Sequence, residues 1–170
     1  MLRFNRRALL ITSGLLVPLL TLVGPGLLNI SGIAPAWAVL WLLPWALAHG
    51  SLSGVIAGLC QGLLLDGISL GDATQVPVLM VLGGWWGYLG RYSSTDEGSF
   101  LSYSFLAWFG SILYGISLWL QINFFAIHDS HEILINWGIY TFLAQSTLTA
   151  LIAPLICSFL LKCWNRRTLF

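Results

Sequence analysis

The sequence predicts an all-α integral membrane fold: one polytopic domain over residues 1–170, with six transmembrane helices and both termini on the cytoplasmic side. Three observations predict it. Hydrophobic residues make up 58% of the 170 and charged residues 8%, against about 45–50% and about 25% in a soluble domain. The apolar segments recur at lengths suited to a hydrocarbon core of about 30 Å, which takes about 20 helical residues to cross. All seven Lys and Arg residues fall on one side of the resulting topology.

The same composition excludes whole classes of function. The longest polar stretch, residues 91–99, cannot bury a core, which removes soluble enzymes, nucleic-acid readers and cytosolic regulatory modules. A net charge of +1 offers no electrostatic footprint for a polyanion, so no nucleic acid is expected as a partner. Cys60, Cys157 and Cys163 lie in or beside apolar runs and are read as reduced apolar side chains.

The first span, about residues 8–28, follows Arg3, Arg6 and Arg7 and ends at the turn formers Gly24-Pro25-Gly26 and Asn29-Ile30-Ser31-Gly32. This stretch also has the outline of a signal peptide, with Ala34-Pro35-Ala36 or Ala36-Trp37-Ala38 as its cleavage site. Pro18, Gly24 and Pro25 suit a real span, and removing it would leave an unpaired number of helices, so it is read as retained.

Residues 33–65 form one apolar region. As a single helix it would be about 50 Å long, too long for the core, while two spans get only about 16 residues each. A hairpin at His49-Gly50-Ser51 gives spans of about 33–48 and 51–65, followed by spans of about 74–90, 100–120 and 134–161. The length of the last suggests tilt, and Pro154 a kink.

Charge placement decides for the hairpin. With six spans the N-terminal arginines, Arg91 and the C-terminal Lys162, Arg166 and Arg167 share the cytoplasmic side, along with the His49 turn, and Asp66, Asp72, Asp129 and Glu132 face outward. Five spans would place the C-terminal cluster outside. The short second and third spans then need local thinning of the bilayer or burial by neighbours. Most tryptophans lie near predicted span ends, at headgroup level, and Trp108 is read as ordinary packing.

Gly50, Gly54, Gly58, Gly62 and then Asp66 follow at four-residue spacing. Such a series tracks the i±4 ridge of a helix and lets a second backbone approach closely, so it is read as a packing seam, with Val55 off the ridge. The seam's partner is another helix of this chain, a second copy, or another protein. Asp66 extends the ridge near a membrane boundary. It either binds a substrate or ion or, the preferred reading, accepts hydrogen bonds from free backbone N–H groups at the start of the next helix. Asp72 is a second turn or binding candidate.

His128-Asp129-Ser130-His131-Glu132 holds metal-ligand residue types, but one short segment supplies only part of a coordination sphere, so it is read as a solvated outer loop. Gln61, Asn123, Asn136 and Gln145 are candidates for interhelical hydrogen bonds. The sequence carries no nucleophile–base pair, phosphate loop or cofactor signature, so no catalytic residue, metal or cofactor is expected.

Pro35 opening a Trp- and Leu-rich helix, then Gly50-Ser51-Leu52-Ser53-Gly54, Gly58-Leu59-Cys60-Gln61-Gly62-Leu63-Leu64-Leu65-Asp66 and Leu70-Gly71, resemble the rod shape-determining protein MreD family. Ala153-Pro154-Leu155 before a basic C-terminus is similar too. Residues 35–91 carry the resemblance. Ala36 stands where a polar residue is usual, and Asp72 where a neutral polar one is commoner. The resemblance implies a non-enzymatic inner-membrane scaffold of the bacterial cell-elongation machinery, partnered by MreC-like and other elongation-complex proteins and linking the MreB cytoskeleton to peptidoglycan synthesis. The family's six-helix arrangement is similar to the substrate-binding subunits of energy-coupling-factor transporters. A vitamin-type transporter subunit is therefore the alternative, and it would need several convergent polar groups in an outward pocket. By sequence these are Asp66, Asp72, Thr74, Gln75 and the His128 loop.

Overall fold

The computed structural model describes residues 14, 17, 21, 33–69, 73–92, 100–125 and 131–165. Its regular elements are α-helices: α1 (Trp37–His49), α2 (Ser51–Ile68), α3 (Val76–Tyr92), α4 (Phe100–Phe125) and α5 (His131–Asn165). Of the first predicted span, only Gly14, Val17 and Thr21 are described. All three are helical, and Val17 is buried. The rest of that span lies outside the described residues, as do Asp72 and the side chains of residues 128–132.

α1 has 13 residues, about 20 Å of helix. That is short of a hydrocarbon core of about 30 Å, and the explanation is position. Trp37 to Leu43 and Ala46 are all buried, because α2, α3, α4 and α5 pack around α1. A helix apolar on every side and enclosed by other helices need not match the bilayer itself. Pro44 lies inside this helix, which runs on past it to His49. Trp41, Trp45 and His49 recur at i+4 and stack, with ring centroids 4.9 and 4.3 Å apart.

The chain reverses between α1 and α2 at Gly50, whose φ of 85° and ψ of 178° lie in a region open essentially to glycine alone. Space is not the constraint there, since a Cβ would meet nothing within 4 Å. Two side-chain bonds secure this end: Trp45 Nε1 donates to Ser53 Oγ at 3.1 Å, and Ser51 Oγ donates to the Gly84 carbonyl at 2.9 Å.

Among the described residues, three helices hold stretches long and apolar enough to cross a membrane: Ser51–Ile68, Leu101–Gln121 and Tyr140–Lys162. α2 thus runs three residues past the expected end at 65, and α5 extends beyond the expected 134–161 at both ends. Each spanning stretch is only 28% buried, which leaves most of its apolar surface facing outward, as lipid-facing helices require. Trp108, read as ordinary packing, lies on that outer surface at 38% exposure with its ring centroid 6.3 Å from that of Phe105. Cys60 is exposed and Cys157 buried, and both are free thiols.

Candidate functional site

The glycine ridge of α2 lies against α3. A Cβ at Gly54 would overlap the Gly83 carbonyl, one at Gly58 the Leu79 carbonyl, and one at Gly62 would sit 2.6 Å from Val76 Cα. The pairs 54/83, 58/79 and 62/76 define an antiparallel register in which backbone rests on backbone. α3 answers with its own small residues, since a Cβ at Gly83 would overlap the Gly54 carbonyl and one at Gly87 the backbone at Gly50 and Ser51. The fourth ridge residue, Gly50, forms the turn: its backbone faces Gly87, while a Cβ of its own would meet nothing within 4 Å. Val55, expected to lie off the seam, is part of it: its Cγ2 is 3.0 Å from where a Gly84 Cβ would stand. α2's far side carries Leu52, Ile56 and Leu63, at 56–75% exposure.

At the other end of this hairpin the structure is polar. Asp66 Oδ1 accepts the Gln75 N–H at 2.8 Å, a bond to a free amide at the start of α3, where the helix dipole also favours a negative charge. Gln121 on α4 pairs its side-chain amide with both backbone groups of Thr74: Oε1 accepts the N–H at 2.7 Å, and Nε2 donates to the carbonyl at 2.9 Å. Tyr114 on α4 donates to Gln75 Oε1. On α5, Thr149 Oγ1 accepts the Ala36 N–H at 3.0 Å and donates to the Gln145 carbonyl at 2.6 Å. Ala36 is the residue before α1 and has no side chain able to cap it, so Thr149 supplies the polar partner from another helix.

Of these groups Ala36, Gln75, Tyr114 and Gln145 line a cavity of about 290 Å³, together with Pro35, Trp37, Leu65 and others. The polar inventory is therefore richer than the expected Asp66, Asp72, Thr74, Gln75 and His128 loop. Ser69, Tyr114 and Gln145 join Gln75 in the cavity lining, Gln121 and Thr149 bond nearby backbone without lining it, and Asp66 serves the turn and is not a lining residue. Gln145 is among the residues expected to make interhelical hydrogen bonds; Tyr114, Gln121 and Thr149 are not, although they carry a signal. Tyr114, Ser117 and Gln121 fall at i, i+3 and i+7, and Gln145 and Thr149 at i and i+4, polar stripes along otherwise apolar helices. The expectation for Gln61 is corrected. It is buried, at 3% exposure, and neither atom of its amide has a hydrogen-bond partner among the described residues.

No group of three His, Cys, Asp or Glu that could hold a metal ion occurs among the described residues. Comparison with protein-family models, with curated proteins and with solved structures finds no match to this chain.

Proposed function

We propose that this chain is a non-enzymatic scaffold of the bacterial cell-elongation machinery, of the rod shape-determining MreD type. It resides in the inner membrane with six spans and both termini inside. The observation that carries the reading is the α2–α3 hairpin. The residues on which the resemblance rests are the ones that build it: Gly54, Gly58 and Gly62 set two backbones in contact, and Asp66 ties α2 to the start of α3. A seam of this kind makes a stiff two-helix plate in lipid, where close backbone packing replaces the hydrophobic effect between helices. Its outer face of Leu52, Ile56 and Leu63 is left for lipid or for the spans of MreC-like partners. Partner binding by such a plate needs surface rather than chemistry.

Depletion of the protein from its host, with cell width as the readout, tests the proposal. Rounded, widened cells without a nutritional requirement are the expected outcome. Normal rods that depend on a supplied vitamin would overturn it in favour of a transporter subunit, the reading the polar cavity would then serve.

A further inference from the structure

α5 has 35 residues, about 52 Å of helix, and one stretch of it is built unlike the rest. A helix is stiff because each carbonyl is held along the axis by the N–H four residues on. Between Leu143 and Pro154 that ladder is altered at three carbonyls. The Leu143 carbonyl accepts the Ser146 hydroxyl at 3.0 Å and the Thr147 hydroxyl at 2.7 Å, and the Gln145 carbonyl accepts the Thr149 hydroxyl at 2.6 Å. Pro154 lies inside the helix, where it has no N–H to give the Ala150 carbonyl and its ring crowds that carbonyl. Hydroxyl bonds of this kind draw carbonyls off the axis and bend helices, and in lipid they help a proline to persist inside a spanning helix.

We propose that residues 146–154 are a hinge, about which the N-terminal part of α5, residues 131–145, moves against the rest of the bundle. Packing permits the motion. The buried side chains from 146 to 157 are Ser146, Thr149, Ala153, Pro154 and Cys157, so the pivot carries no large buried side chain that interlocks with a neighbour. On the N-terminal side of the pivot α5 meets α4 through rings, Phe142 against Gly115 and Trp119 against Gly138, and rings can turn.

The hinge is tied at one point and has a consequence at another. Thr149 Oγ1 accepts the Ala36 N–H at 3.0 Å, which fastens the pivot itself to the start of α1 and leaves the segment before it to swing. Gln145, at the edge of the moving part, lines the cavity with Gln75 and Tyr114, so a swing changes the width of that space. The α2–α3 pair, with backbone resting on backbone, is the fixed frame against which the motion is read.

The inference does not rest on the scaffold reading, since helix motion and cell width are separate measurements. Its test is double electron–electron resonance on the full chain in lipid nanodiscs, with spin labels on cysteines introduced at exposed positions. Cys60→Ser and Cys163→Ser remove competing thiols, and Cys157 is buried. One label pair, Tyr140→Cys with Leu63→Cys, relates the moving part to α2, and the other, Phe159→Cys with Leu52→Cys, relates the far part of α5 to the same helix. The distance distribution of the first pair should be roughly twofold wider than that of the second. Pro154→Ala, which restores an N–H to the Ala150 carbonyl, should narrow the first distribution to the width of the second. Ser146→Ala combined with Thr147→Ala, which frees the Leu143 carbonyl of both hydroxyls, should narrow it in part and stands in if Pro154→Ala fails to fold. A first distribution as narrow as the second, or one that the folded variants leave as wide as before, would overturn the proposal.

Discussion

The α2–α3 and α4–α5 pairs both meet through glycines, and they meet differently. Between α2 and α3 the missing side chain makes room for a backbone: Gly54 and Gly58 face the carbonyls of Gly83 and Leu79. Between α4 and α5 it makes room for a ring. A Cβ at Gly115 would stand 2.7 Å from Phe142 Cδ1, and one at Gly138 would stand 3.1 Å from Trp119 Cδ1. A carbonyl held in a helix by the hydrogen bond it accepts from the i+4 N–H cannot step aside without moving the whole helix, whereas a ring on a half-buried side chain can turn about χ1 and χ2. The α2–α3 pair is therefore the rigid part of the molecule and α4–α5 the adjustable part. Counting glycines in a membrane helix does not separate the two cases.

Substitutions grade this difference. Gly58→Leu drives a branched side chain into the Leu79 backbone and should cost the most, roughly 3 kcal/mol or more. It should be read as loss of folded protein in size-exclusion profiles from mild detergent. A normal profile would mean that α2 and α3 part easily, and the contrast would collapse. Gly115→Ala asks only that the Phe142 ring shift, so a cost of about 1 kcal/mol and a drop of a few degrees in apparent melting temperature are expected. A cost equal to that of Gly58→Ala would show the ring to be as fixed as backbone. Ile56→Ala, on the outer face of α2 at 56% exposure, should change the melting temperature least, by the equivalent of about 0.5 kcal/mol or less. A large effect there would place a protein contact on that face. Val55 is not a usable control, because it packs on Gly84.

Part of this organisation is legible in the residues. The break at Gly50 follows from the length of the apolar region, and the four-residue glycine spacing signals a close approach. Its partner does not follow. Gly83 and Gly87 share the same spacing in α3, yet that Gly58 sits at Leu79 is a register, set by how two whole helices slide together. In the polar cluster Asp66 and Gln75 are nine residues apart and read as one turn, while Tyr114, Gln121, Gln145 and Thr149 arrive from helices far along the chain. Each of those four resembles an isolated polar residue in an apolar run until the fold gathers them.

By itself the sequence determined that this chain is helical and suited to a membrane. Backbone polar groups in hydrocarbon must be satisfied within the segment, so long apolar runs with few charges have little choice. Tertiary structure alone decided which helix is central. α1 and α2 are both predominantly apolar, yet α1 is enclosed and α2 is open on one face. The reason is that lipid tails and protein interiors are about equally apolar, so hydrophobicity marks the membrane without marking the inside of the protein. Close packing does mark it, through backbone contacts at Gly54, Gly58 and Gly62 and the ring of Trp86 set against Gly110, and those contacts exist only once the helices are side by side.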